Sequence, residues 1–307
     1  MELIRGIHNI RDKHHGCVLT IGKFDGVHLG HQAVLKQVLL QASRLNLPAI
    51  VMVFEPQPEE LFTPEYAPAR LSLLRDKYKY LQEVGVHKLL CVRFSRAFSS
   101  MSPTQFVQDF LVDKLGVKFL VVGDDFRFGF NRVGDFEFLQ KAGSEQGFQV
   151  VSTQSFRMAE HRISSTAIRN ALDINDFEHA NAMLGRPFVI SGKVVHGEKN
   201  GRKIGYPTAN ILLNRHKSPL SGVFAIKVML NGNLYKGVAN IGKRPTLNGN
   251  RMQLEVNIFE YNGDLYGKFL EVEFIAKIRD EIKFSDLQTL KQQILKDAEQ
   301  ARQLLAN

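Results

Sequence analysis

Residues 22–31 read Gly-Lys-Phe-Asp-Gly-Val-His-Leu-Gly-His, and they gather the residue types that bind phosphate. The stretch follows a short apolar run, residues 17–21, and precedes one in which Val34, Val38, Ala42 and Leu45 recur at helical spacing. A strand-to-helix turn is expected there. Backbone N–H groups and the helix dipole converge on such a turn and favour an anion. Gly22 and Gly26 let a phosphate approach the backbone, Phe24 and Asp25 lie between them, and His28 and His31 add donors. The chemistry is that of a nucleotide triphosphate site. Zinc is the alternative use of such a histidine pair, but further ligands at metal-site spacing do not stand nearby in sequence.

Other segments carry chemistry of the same kind. Ser164, Ser165 and Thr166 precede an apolar-periodic stretch that includes Arg169. One hydroxyl suffices to cap a helix; the spare ones, with Arg169, suit the β- and γ-phosphates of a nucleotide. Residues 123–129, Gly-Asp-Asp-Phe-Arg-Phe-Gly, and 54–58, Phe-Glu-Pro-Gln-Pro, each follow an apolar run and are pocket candidates. Farther on, Gly192, Gly197, Gly201 and Gly205 could wrap a phosphate chain in backbone amides, without the spacing of a P-loop. Thr208 and Asn210 alternate, so an extended chain puts them on one face, where neutral oxygens suit magnesium bridged to phosphates. Alternation in Leu254-Glu255-Val256 turns Glu255 away from its apolar neighbours.

The elements that must position these residues change character along the chain. Strand-like runs at 18–21, 49–54, 88–94, 118–122 and 149–152 alternate with helical patterns at 31–45, 72–84, 103–115 and 135–145. Such alternation predicts a doubly wound parallel sheet with right-handed crossovers, in which ligands sit at the carboxyl ends of the strands. After residue 184 short strands follow one another at 189–195, 223–230, 234–241, 253–260 and 269–275, with turns at Asn231-Gly232-Asn233 and Asn262-Gly263-Asp264. A small antiparallel barrel is expected there. A terminal helix covers it, capped at Ser285-Asp286-Leu287-Gln288 and presenting Leu287, Leu290, Ile294, Ala298 and Ala301. Domains 1–184 and 185–307 result.

Composition narrows the class. The chain has 307 residues, enough for two cores, and no apolar run long enough to span a bilayer. Residues 1–15 lack a signal-peptide core, and Cys17 and Cys91 lie in apolar runs, so a cytoplasmic protein with reduced thiols is expected. The net charge of +9 is scattered rather than run together, which suits polyphosphate substrates and implies no specific nucleic-acid or membrane partner.

The Gly-x-Phe-Asp-Gly-x-His-x-Gly-His turn and the Ile-Ser-Ser-Thr-x-Ile-Arg stretch resemble the signatures of the nucleotidyltransferase superfamily. Within it they look most like the flavin adenylyltransferase half of bacterial FAD synthetases. Pro207-Thr208-Ala209-Asn210, Asn240-Ile241-Gly242, Leu254-Glu255-Val256 and Asp264-Leu265-Tyr266-Gly267 resemble the riboflavin kinase signature. Together they cover the chain as the bacterial bifunctional family does. The resemblance implies phosphorylation of riboflavin by ATP with Mg2+, then transfer of AMP from ATP to FMN. It implies that Glu255 is the kinase base and that His28 and His31 serve the adenylyl transfer. Asp125 and Arg127 face the flavin nucleotide there; Asn240 and Arg279 belong to the kinase site, Arg279 closing over the flavin. Lys23 and Gln57 occupy positions where the family pattern varies. A degenerate flavin-sensing or RNA-binding regulator, or a nucleotidyltransferase of pantetheine or glycerol phosphate, are the alternatives.

Overall fold

A computed structural model describes residues 1–153, 163–196, 206–213, 217–246 and 249–306. Gly197, Gly201 and Gly205 lie outside them. The chain divides into two compact units, Met1–Ala67 with Ser72–Ile163, and Pro68–Leu71 with Ser164–Asn307.

The first unit is a six-stranded, all-parallel sheet. Its strands are β1 (Glu2–Arg5), β2 (Cys17–Ile21), β3 (Ala49–Glu55), β4 (Lys88–Arg93), β5 (Val117–Val122) and β6 (Gln149–Ser152). They lie in the order β1-β4-β3-β2-β5-β6. Every residue of β2 is buried, as a central strand covered on both faces requires. The chain leaves β2 toward β3 on one side and later returns to β5 on the other. The carboxyl end of β2 is therefore a topological switch point, the place where open α/β sheets bind ligands. Helices Leu29–Leu45, Leu74–Val84 and Phe136–Gln146 supply crossovers. The segment expected as a helix over 103–115 does start at the Ser102 cap, whose Oγ accepts from Gln105 N at 3.2 Å. It then widens into a π-helix over Phe106–Lys114, burying Phe106, Val107, Phe110 and Leu111.

The second unit is a closed barrel of β7 (Val189–Val195), β8 (Ala209–Leu212), β9 (Gly222–Leu230), β10 (Asn233–Thr246), β11 (Gly249–Ile258) and β12 (Phe269–Arg279). Around the barrel the order is β10-β11-β8-β7-β12-β9, and the described pairings are antiparallel. Inward residues such as Phe224, Ile226, Leu254, Val256, Leu270 and Val272 are fully buried. The terminal helix Leu287–Leu304 packs Ala301, with Leu305 just beyond it, on the outer face of the barrel, against Val223, Ala225 and Val238. Its buried face differs from the expected one at the start: Leu287 is 62% exposed, and burial begins only with Asp297 and Ala298. Asp286 is the cap residue, accepting from Gln288 N and Thr289 N.

Helices Ser165–Asp173 and Phe177–Leu184 pack with the barrel core through Ile168, Leu172, Phe177, Ala180 and Leu184. The physical unit thus starts at Ser164, ahead of the sequence boundary at 184/185. Phe177 meets Phe224 edge-on at 6.1 Å and stacks on Phe274 at 6.5 Å. Truncating it leaves a cavity, so Phe177→Ala should destabilise this unit by about 3–5 kcal/mol, read from denaturant unfolding. A loss below about 1 kcal/mol would show that the helix pair is dispensable for the barrel.

Candidate functional sites

The turn leaving β2 is held by unusual backbone. Phe24, Gly26 and Val27 have φ of 45°, 82° and 39°. Positive φ at a β-branched valine is strained, and strain of this kind costs about 1–3 kcal/mol, persisting only where the surroundings enforce it. They do so here. Asp25 is 1% exposed, and its Oδ1 accepts from Ser72 N at 2.9 Å and Ser72 Oγ at 3.3 Å. The Ser72 hydroxyl in turn accepts from Gly26 N at 2.8 Å. Phe24 and Val27 are buried with Leu35 and Val53. Gly22 N donates to Met52 O at 3.1 Å, holding the turn to the end of β3.

His28 is the N-cap of helix Leu29–Leu45, its Nδ1 accepting from His31 N at 3.2 Å. The two imidazoles stack with centroids 3.6 Å apart, and Phe24 lies 5.0 Å from the His31 ring. A Cβ at Gly30 would come within 3.2 Å of the His28 ring and of Ile163 O, so glycine lets the backbone close on the ring. The structure therefore gathers Gly22, Phe24, Asp25, His28 and His31 at one helix N-terminus, with Phe24, Asp25 and His28 buried and His31 half-buried.

Asp125 and Arg127 follow β5, the neighbour of β2, and both are exposed. Between and beyond them Phe126 and Phe128 stack at 5.7 Å, and Phe128 packs into the core against Phe106. An aromatic wall not anticipated from sequence stands at the ends of β3 and β4. Phe54, Phe62, Phe94 and Phe98 contact one another with centroids 5.4–6.0 Å apart. No single segment contains it; only the pairing of β3 with β4 assembles it.

In the second unit Ser164 caps helix Ser165–Asp173, accepting from Ala167 N at 3.1 Å. Ser165 follows it half-buried, Thr166 is exposed, and Arg169 donates from Nε to Ala69 O at 2.6 Å. Ser164 is thus accounted for by capping, and the next two hydroxyls lie in the first turn of the helix.

The barrel aligns the remaining candidates on a single rung. Asn210 pairs with Glu255, Glu255 with Asn240, Asn240 with Val223, and Val223 with Arg279. Neighbouring strands lie about 4.8 Å apart, so the Glu255 backbone is one strand from both asparagines. Leu254 and Val256 are buried inside the barrel, which puts Glu255 on its outer face with Asn210. Gln253, on the same face, donates through Nε2 to Asn210 Oδ1 and to Glu255 Oε1, the latter at 3.4 Å. Thr208 lies two residues before Asn210, just ahead of β8, and Thr208, Asn210 and Glu255 offer hydroxyl, amide and carboxylate oxygens. That donor set fits a hard divalent cation.

Arg279 is three strands from Glu255 along the rung. Its guanidinium is gripped by Asp297, 4% exposed, through Nε at 2.9 and 3.0 Å and Nη2 at 2.7 Å. Beyond it the chain folds back, and Glu281 Oε1 accepts from Asn240 Nδ2 at 3.3 Å. Gly192 lies within β7, where a Cβ would collide with Ile211 Cγ2. Barrel packing accounts for that glycine.

Comparison with known proteins gives a family for each part of the chain. The family model for FAD synthetase matches residues 10–167, and that for riboflavin kinase matches residues 184–305. A bifunctional riboflavin kinase/FMN adenylyltransferase of Escherichia coli K12 is 53% identical over 99% of this chain and 97% of its own. One from Pseudomonas fluorescens is 50% identical over 100% and 98%. A Streptococcus pneumoniae crystal structure described as a macrolide-efflux protein superposes with TM-score 0.76 and 31% identity, covering 98% of this chain and 99% of that one. Among the described residues no helix is long and apolar enough to cross a membrane. Both units lie on a chain that these relatives match end to end, and the chain therefore belongs to the bifunctional riboflavin kinase/FMN adenylyltransferase family.

Proposed function

We propose that the second unit phosphorylates riboflavin to FMN with ATP, and that FMN is then adenylylated with a second ATP to FAD and pyrophosphate. The observation that carries the reading is the pair of unlike sites on one chain: a carboxylate beside neutral oxygen ligands, and an anion-binding turn. Residues 185–307 bear the kinase groups and residues 1–184 the adenylyltransferase groups. The burial of both cysteines supports a cytoplasmic setting for the enzyme.

In the kinase reaction the primary ribityl hydroxyl attacks the γ-phosphorus, and Glu255 accepts its proton. Mg2+ held by Thr208 and Asn210 would orient the phosphates of ATP and offset their charge. Asn240, beside Glu255 on the rung, fixes the substrate, while Arg279 and the glycines at 197, 201 and 205 complete the nucleotide and flavin contacts. In the second reaction FMN brings a phosphate monoester whose second pKa is about 6, so it is largely dianionic at neutral pH. An oxygen of that phosphate attacks the α-phosphorus directly, with no protein base. His28, His31, Ser164, Ser165, Thr166 and Arg169 supply donors to the phosphates, Gly22 gives them room, and Asp125 and Arg127 hold the flavin nucleotide.

Division of labour is directly testable. A fragment of residues 164–307, which keeps the helices that complete the barrel core, should make FMN and no FAD. A folded fragment without kinase activity would show that groups from the first unit are required. Glu255→Gln should lower riboflavin phosphorylation by about 10²–10⁴-fold while supplied FMN is still converted to FAD. Normal FMN formation would remove Glu255 from the mechanism. His28→Ala should slow FAD formation by roughly 10²–10³-fold and leave riboflavin phosphorylation intact. Since His28 also caps a helix, His28→Asn, which keeps a capping oxygen, separates the two roles. Full FAD synthesis in the asparagine variant would reduce the histidine to a cap.

A further inference from the structure

Arg279 ends β12, and two acids follow it directly, Asp280 and Glu281. The Asp280 carboxylate pairs with Lys277 Nζ at 2.6 Å, and that of Glu281 accepts from Asn240 Nδ2 at 3.3 Å. The Arg279 guanidinium is taken instead by Asp297, 18 residues on and buried in the terminal helix. Nε meets both oxygens of Asp297, and Nη2 meets Oδ2 at 2.7 Å. Gln293, one turn earlier in the helix, donates from Nε2 to Asp297 Oδ1 at 2.9 Å. A planar fork held by two of its nitrogens has one orientation.

Burying a carboxylate costs free energy, and exchanging a buried ion pair for apolar side chains is often neutral or stabilising. The terminal helix already docks on the barrel through Ala301 and Leu305. What the pair supplies is therefore a geometry, and the residues beside it show of what. Gly222, with φ of 115°, is bare where a Cβ would lie 2.5 Å from Arg279 O. A Cβ at Gly242 would collide with the Glu281 carboxylate. Glu281 rests on Asn240, the cross-strand neighbour of Glu255. One short segment, residues 279–281, is thus fastened to the terminal helix at its start and to the rung at its end.

We infer that Asp297 is a positioning residue of the kinase, acting through Arg279 on substrate binding. The inference rests on the reading of the rung, with Arg279, as the kinase site. Asp297 lies on the helix and touches the guanidinium, so its effect on turnover has to pass through Arg279. A residue that only held the helix to the barrel would act whether or not Arg279 were present.

The test is a double-mutant cycle in the full-length protein, with Asp297→Asn, Arg279→Gln and the two combined. Asp297→Asn should lower kcat/KM for riboflavin phosphorylation by about 10- to 100-fold, the scale of a misplaced binding group. The loss should raise the KM of riboflavin or of ATP, whereas a smaller folded fraction lowers only the apparent kcat. Adding Asp297→Asn to Arg279→Gln should cost nothing more. Gln293→Met, which takes one hydrogen bond from Asp297 and no charge, should lose about 2- to 10-fold. In the same cycle it decides the matter should Asp297→Asn fail to fold. Unchanged kinetics, a loss in kcat alone, or a loss undiminished when Arg279 is already gone overturns the inference. Full activity of Arg279→Gln, or a wild-type protein that makes no FMN, overturns the reading of the kinase site instead.

Discussion

The buried carboxylate of Asp25 is the interaction on which the first site depends. It draws in Ser72 by two hydrogen bonds, and Ser72 passes the restraint to the Gly26 amide. Without it, the left-handed conformations of Phe24 and Val27 would relax, and the helix would no longer begin with His28 facing the switch point of the sheet. Strain in the turn is thus balanced by a hydrogen-bond network reaching from a different crossover. The pairing turns the Asp25 carboxylate inward, onto donors of the protein.

The barrel solves its positioning problem by alternation instead. Leu254 and Val256 must face the core, so Glu255 must face out, and the register of β11 with β8 and β10 then decides its neighbours. A one-residue slip would bury the acid and expose two core residues, which makes the register costly to change. The same outer surface carries the terminal helix. Ala301 and Leu305 cover Val223 on the very rung that holds Asn240 and Glu255, and Asp297 fastens Arg279 at its end. Helix docking and site geometry are consequently coupled through a single row of residues.

Much of this was legible from the chain because period and chemistry agreed. The run at 17–21, the Ser102 and Ser164 caps and the outward Glu255 each follow from local rules that tertiary structure did not override. Two short strands were not legible. β1 has four residues with a charged one at each end, and β8, which carries Asn210, has four with a polar one among them, too mixed for an apolar run to register. The π-helix over Phe106–Lys114 has the same apolar spacing as an α-helix, and only packing selects the wider turn. Texture changes at 184, where the riboflavin kinase match begins, whereas helices Ser165–Asp173 and Phe177–Leu184 already pack with the barrel core, so the compact unit starts at 164. The aromatic wall and the Asp25–Ser72 brace were hidden for a deeper reason: each is made by residues far apart in sequence that only the sheet order brings together.

The two sites differ because their nucleophiles differ. A ribityl alcohol is a poor nucleophile until its proton is taken, a task for a general base such as the carboxylate proposed at Glu255. A phosphate dianion arrives already ionised, and the difficulty lies in bringing one anion onto another. That reaction needs no base; it needs donors arranged before the substrate binds, at a place where the field is positive. A helix N-terminus with stacked histidines meets that demand, and an outward acid on a barrel would defeat it. The chain carries both kinds of environment, stacked imidazoles at a helix N-terminus and a carboxylate on the outer face of a barrel strand.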